Sequence, residues 1–351
     1  MKFYVLLSML MSMSAFAIEI TVTQTQCNAP LTPGQCTDLT QSVRDEVNDS
    51  LPDEDAQKYA DGTANATVIA NAGKGSDYGQ NFDIFTLKLS GGVGLDASTS
   101  GFDDMENANG FAVGGGITAG VNLDVLPVSK IGFIDFSKMD LFLNFSSFNV
   151  DQEFDQSTAK GSIGGFGFMA RYSLIDSSDI PSKYLMQWGG LHLHTGFQRS
   201  TMDINYNQSF DDQDVSVQSG GQTINGTFSN ARGIFDLQSE TNVIPIEVST
   251  YMRFLYVFTL YGGAGLDIAS GTSDIKFDGT GTVSGGLTSG STDYQASLSA
   301  NESASGSPEA TNFRGFIGLQ FNVPVVSVYV HVNKNISKDI VGANVGVNFA
   351  W

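Results

Sequence analysis

Residues 326–351 read VSVYVHVNKNISKDIVGANVGVNFAW. Val326, Val328, Val330 and Val332 alternate with Ser327, Tyr329, His331 and Asn333. After a polar turn, Val341, Ala343, Val345, Val347, Phe349 and Trp351 alternate with glycine, asparagine and alanine. Successive side chains of a strand point to opposite faces, so this text is a β-hairpin with one apolar face and one polar face. A chain built of such hairpins is an antiparallel sheet, and the question it poses is which face is wet.

Working back from this hairpin, the same period of two recurs from about Phe82 onward in segments of roughly ten residues. Their apolar faces are Phe85, Leu87, Leu89, Val93 and Leu95; Phe111, Val113, Ile117, Ala119, Val121 and Leu123; Leu141, Leu143 and Phe145; and Phe166, Phe168, Ala170 and Tyr172. Then come Leu185, Leu191, Leu193 and Phe197; Ile244, Ile246, Val248, Met252 and Phe254; Phe258, Leu260, Ala264, Leu266 and Ile268; and Phe313, Ile317, Leu319, Phe321 and Val323. With the closing hairpin these make ten strands, twelve being the alternative count. The opposite parity carries a polar cluster of Lys88, Arg171, His192, His194, Glu247, Arg253, Arg314 and His331. Connections alternate between short ones (124–138, 174–184, 254–256, 323–325) and long polar ones (200–240 and 269–311), the contrast of inner turns and outer loops. Together these predict an all-β antiparallel transmembrane β-barrel over 80–351, with the polar cluster in its lumen. Trp351 on the apolar parity makes the last strand resemble the terminal strand that outer-membrane barrels present to their assembly machinery, with Val345, Val347, Phe349 and Trp351 as the signal.

Composition agrees. The 351 residues hold 17 Lys or Arg against 37 Asp or Glu, a formal net charge of −20, which argues against a nucleic-acid partner. Met1 to Ala17 has one charge, an apolar stretch and Ala15-Phe16-Ala17, the pattern of a cleaved secretory signal, which predicts export to the bacterial outer membrane. Cys27 and Cys36 would then meet an oxidising compartment and form one local disulfide. Residues 18–79 are polar and acidic and read as an N-terminal segment with a short helix capped by Asp38, with Leu39, Val43 and Val47 on one face. A second helical stretch after Pro52 puts Ala56, Tyr59 and Ala60 together. This segment is either a plug or a periplasmic module. If the acidic helix around Asp45, Glu46, Asp53 and Asp55 entered the barrel, it would neutralise a lumen that reads as basic.

Ser200 or Ser249 near the histidines could be imagined as nucleophiles, but no GxSxG context surrounds them. We expect no enzyme, no metal and no cofactor. Ile163, Phe142, Met186, Trp188 and Phe316 fall on the lumen parity and are expected to pack inside a filled barrel. Ten strands make a narrow bore, so conduction through one subunit is not expected.

Asp55 to Tyr59, Ala72-Gly73-Lys74-Gly75-Ser76-Asp77-Tyr78-Gly79, Asn81 to Phe85, Trp188-Gly189-Gly190-Leu191-His192, and Leu260 to Leu266 resemble a porin-like outer-membrane family of predatory bacteria. The resemblance implies a cyclic homo-oligomer that traps membrane lipid. The alternatives are a simple small-solute porin and a lipid- or peptide-cleaving barrel enzyme; adhesion through the long loops is a further one. The partners expected are membrane lipid, further copies of the chain and the barrel assembly machinery.

Overall fold

In a computed structural model, the residues described are 19–50, 56–79, 82, 84–97, 108–127, 130–132, 134–180, 182, 185–219, 222–287 and 292–351. The signal-like stretch 1–17, and Asp53 and Asp55, lie outside them.

Ten long strands form a closed antiparallel ring: β1 (Phe85–Asp96), β2 (Gly110–Asn122), β3 (Met139–Phe154), β4 (Ser157–Ile175), β5 (Met186–Ser209), β6 (Gln222–Phe254), β7 (Phe258–Gly286), β8 (Thr311–Val323), β9 (Val326–Asn335) and β10 (Ile340–Ala350). Each pairs with its sequence neighbour, and β10 returns to β1 from Ala350↔Thr86 to Ile340↔Asp96. Closure leaves the ring without an edge strand, the arrangement that period-two text with two differently solvated faces demands. The ten segments expected from sequence are the ten strands of the ring. Trp351 finishes the seam: its N–H donates to the Phe85 carbonyl at 2.9 Å, and its ring lies 5.7 Å from that of Phe85.

The parity assignment holds, and the structure settles the sides. The apolar parity faces out, with Leu143, Phe145, Phe168, Ile317 and Val345 all more than half exposed. The charged parity faces in, where Lys88, Arg171, His194, Glu247, Arg314 and His331 are buried.

The two long connections differ from the expected loops. They are the continuation of the strands: β6 has 33 residues and β7 has 29, paired from Phe254↔Phe258 to Asn225↔Gly286 with one register shift between Ser229 and Arg232. At ~3.3 Å per residue a 33-residue strand runs roughly 100 Å, far more than a bilayer needs. Beyond the barrel, Tyr294–Gly306 takes the place of β8 beside β7. Glu19–Cys27 pairs with that strand, and Gln213–Ser219 pairs with the end of β6. The result is a five-stranded cap at the long-loop end.

Helix α1 (Pro33–Ser50) lies against both edge strands of the cap. It starts earlier than the Asp38 cap predicts, because Thr32 and Gln35 form a reciprocal capping box: the Thr32 N–H donates to Gln35 Oε1 at 2.9 Å and the Gln35 N–H to Thr32 Oγ1 at 3.4 Å. Leu39 and Val43 bury with Val22, Tyr294 and Leu298. The Cys27–Cys36 disulfide ties the first strand to this helix. Helix α1, with Asp45, therefore sits on the cap and not in the lumen, a correction to the expectation that this acidic helix could enter the barrel.

Helix α2 (Ala56–Asn71) is the element that enters the barrel. Its small residues, five Ala with Gly62, Thr63 and Thr67, let it fit a narrow bore. The wall answers with glycine: a Cβ on Gly342 would stand 2.7 Å from the Ile69 carbonyl oxygen, and one on Gly94 would collide with that of Ala66. Ala56, Tyr59 and Ala60 do share a face, against Phe111, Met202, Phe235 and Leu237.

Candidate functional site

The chain leaves α2 at Asn71 and crosses the lower lumen as Ala72–Gly79. This stretch has no ladder of its own, so each of its buried carbonyls needs a donor. The wall supplies them from strand side chains. Asn333 and Asn344 donate to the Ala72 carbonyl at 3.3 and 2.8 Å. Lys88 Nζ donates to the Gly73 and Ser76 carbonyls at 3.0 and 2.8 Å. Thr118 donates to Lys74 O at 3.0 Å and Arg171 Nη1 to Asp77 O at 2.6 Å. Gly73 has φ +85°, and a Cβ there would stand 2.6 Å from Cδ2 of the His331 ring, so only glycine fits this turn.

Tyr78 is the centre of the arrangement. Its phenol donates to Glu247 Oε2 at 2.6 Å. Its ring lies 4.9 Å from His194, 5.4 Å from His331, 5.9 Å from Tyr261 and 5.0 Å from Phe316. It therefore stands among the three histidines' surroundings as a spacer, with contacts to both His194 and His331. Each imidazole has its own partners. His192 Nδ1 meets Ser173 Oγ at 3.1 Å and Nε2 meets the Gly189 carbonyl at 2.9 Å. His194 lies between Ser76 Oγ (2.9 Å) and Ser249 Oγ (2.7 Å). His331 Nε2 meets Asn333 Oδ1 at 2.9 Å. Among the described residues no cluster of His, Cys, Asp or Glu has the make-up of a metal site. Ser249 does reach a histidine, but at 1% exposure beneath the plug.

The lumen is not basic, which corrects the expectation. Arg314 donates from Nε to Asp267 Oδ2 at 2.7 Å, and from Nη2 to Glu247 Oε1. Arg171 Nε donates to Asp140 Oδ2 at 2.6 Å. Asp77 adds a further carboxylate, holding the Asn348 amide at 2.6 Å and its own turn at Gly79 N. A buried cation needs such a partner. Neither carboxylate shows in the alternation: Asp140 is the second residue of β3, and Asp267 lies within β7 at the point where the apolar segment Phe258 to Ile268 gives way to polar text that reads as loop. The signal was available: Asp140 shares its parity with Phe142, and it is the direct cross-strand partner of Arg171. Of the remaining cluster, Arg253 stands apart, half-buried, with its guanidinium over the Tyr251 and Tyr256 rings at 5.7 and 5.6 Å. Phe142 and Phe316 are buried as expected, Phe142 beside Phe82 at 5.8 Å, and Trp188 donates its indole N–H to Thr250 Oγ1 at 2.8 Å.

Arranged in this way, the lumen binds the chain's own segment: the polar cluster holds an irregular stretch of turns and bends by its carbonyls and by one buried phenol.

No curated protein matches the chain. Solved structures with similar architecture include the translocator domain of the autotransporter NalP from Neisseria meningitidis, at 10% identity and TM-score 0.28 over 78% of this chain and 90% of that one. Acinetobacter baumannii CarO is similar at 10% identity and TM-score 0.27 over 63% and 99% of the two chains. The transport unit of the autotransporter AIDA-I from Escherichia coli is similar at 8% identity and TM-score 0.31 over 81% and 96%. The Lsa36-like family model matches residues 15–351, nearly the whole sequence, and the chain belongs to the Lsa36-like family.

Proposed function

We propose that this protein is a non-enzymatic outer-membrane β-barrel of porin-like architecture, plugged by its own chain, that carries the sheet-and-helix cap on the cell surface. The observation that supports it is the inverted solvation of the ring. Leu143 and Phe145 are 68% and 63% exposed on the outer wall, while Arg171 and Arg314 are 1% exposed inside. Water does not favour that arrangement on ten neighbouring strands, and a bilayer does.

Short turns of barrels face the periplasm and long connections face outward. On that orientation residues 19–50 lie in the cap outside, and the chain then passes down the lumen as α2 and Ala72–Gly79 and meets β1 at the turn end. The N-terminal strand thus reaches the surface through the barrel. The test is labelling of intact cells, after mild reduction, with a membrane-impermeant thiol reagent. Cys27 and Cys36 should label without permeabilisation, and labelling only in lysed cells would refute the orientation. The filled lumen also favours silence in planar bilayers over the solute-porin reading; a reproducible unitary current from folded protein would reverse that preference.

The ring of copies that traps lipid is kept as a second reading, because the same apolar wall could face other copies and a plugged lumen leaves lipid only the space between them. Native mass spectrometry in detergent separates the two. A monodisperse monomer without lipid would exclude the ring.

A further inference from the structure

The barrel wall is not equally sewn all round. β1 and β2 pair along twelve residues, from Phe85↔Val121 to Asp96↔Gly110, and β3 and β4 along sixteen. Between them β2 and β3 pair along six only, from Asn122↔Asp140 to Ile117↔Phe145. Above that point the strands part. The outer half of β2 leans into the lumen, where Phe111 buries with Met202 and Ile204 of β5, and the Val113 N–H donates to the Met202 sulfur at 3.5 Å. The outer half of β3 stays with β4 and is exposed on both faces from Ser147 to Phe154.

A gap of about 30 Å³, the size of one water, opens where the strands part. Its lining joins the two sides of the wall: Phe145, Phe166 and Arg199 from outside, Asn71, Lys74 and Gln198 from inside. The rim is bare, because Gly115, Gly116 and Gly165 have no side chains and Ser146 a small one. Lys74 is 7% exposed at the floor, with Nζ 2.5 Å from Asn71 Oδ1 and, among the described residues, no carboxylate within ion-pair distance. This sets it apart from Arg171 and Arg314, which have carboxylates on the wall. Arg199 stands at the mouth, paired with Glu240 at 2.8 Å.

Resting on the membrane reading above, we propose that this lateral seam is a binding site for a phosphate-bearing anionic membrane lipid. One headgroup oxygen enters the gap toward Lys74, with Arg199 at the rim and the acyl chains along Phe145 and Phe166. A solute from the water phase would meet the cap and α2 first, whereas a lipid meets the seam directly. The gap admits an oxygen and no more, so it selects for headgroup charge and leaves the rest of the lipid outside. A charge-assisted contact replaces the missing carboxylate of Lys74.

The full chain is reconstituted in phosphatidylcholine vesicles containing a minor share of phosphatidylglycerol, extracted in mild detergent, and its retained lipid read by native mass spectrometry. Wild type should retain phosphatidylglycerol over phosphatidylcholine by about ten-fold relative to their supply. Lys74→Gln removes the charge and Ser146→Phe fills the gap, and each should abolish the preference; two variants guard against one failing to fold. Equal retention of both lipids by wild type, or an unchanged preference in both variants, overturns the proposal. So does a preference that millimolar inorganic phosphate replaces with phosphate alone, which would make the seam an anion site without lipid. Vesicle flotation and heat-modifiable mobility are read first: wild type that fails to insert refutes the membrane reading, and wild type that inserts without preference refutes the lipid site only.

Discussion

Tyr78 donates its phenolic proton to Glu247 at 2.6 Å, and through this bond the segment that fills the barrel is tied to the longest strand of its wall. Glu247 accepts from Arg314 as well, so plug, β6 and β8 meet in one buried network. Tyr78→Phe keeps the ring contacts and loses a bond to a charged acceptor, a cost of about 1.5–3 kcal/mol. Tyr78→Ala also removes the ring and should cost about 3–5 kcal/mol. Chemical denaturation of the purified barrel in detergent measures both. An alanine variant as stable as wild type would mean that the plug contributes nothing to the fold.

Arg314 sits between Asp267 and Glu247 at 1% exposure. Arg314→Met leaves two buried carboxylates without their cation and should destabilise by about 3–5 kcal/mol. Adding Asp267→Asn and Glu247→Gln to it should recover most of that loss, because the cost lies in the stranded charges and not in the missing attraction. A triple variant no better than the single one contradicts this.

The close approach of α2 to the wall makes a second kind of prediction. Gly94→Val drives a side chain against the Ala66 carbonyl and should cost about 1–3 kcal/mol through overpacking. Gly315→Ala, which meets nothing within 4 Å, should stay within about 0.5 kcal/mol. Limited proteolysis between residues 56 and 79 reads the difference, with cleavage faster in Gly94→Val alone.

Tyr294 lies outside the membrane, where the Thr40 hydroxyl is 3.0 Å from its own. Burial against α1 raises its phenol above the ordinary 10.0, with the Thr40 bond opposing. Because the folded value is the higher, its contribution to docking is complete below 10.0 and is lost as pH rises through the folded value. Protease cleavage of α1 should therefore accelerate above that pH, and Tyr294→Phe should flatten the profile. An unchanged profile in the variant would place the alkaline transition elsewhere.

Phe349 and Trp351 are expected to act in assembly as well as in closure. Changing both to Ala should lower the amount of folded barrel in cells several-fold, while the same protein refolds in detergent through the main-chain bonds that Trp351 keeps with Phe85. Equal levels in cells would remove the assembly role.

Much of this architecture was written in local text. Alternation from Phe85 to Trp351 gave ten segments and their two parities, since a period of two depends only on neighbours along the chain, but it left twelve strands open until the ring closed at ten. It also placed Lys88, Arg171, Glu247 and Arg314 on one face. It could not decide which face was wet, because alternation is the same for a sandwich and a barrel; only closure of β10 on β1, with apolar groups outside, decided that. Nor could it reveal Asp140 and Asp267 as the partners of the two arginines, since ion pairs follow cross-strand register between distant residues. The plug was the least visible. Helix α2 is rich in Ala, with Gly62, Thr63 and Thr67 among its small residues, and buried nearly all round, so it lacks a strong apolar stripe. Its place was set by glycines in other strands that leave it room, and the lateral seam between β2 and β3 by where their ladder stops.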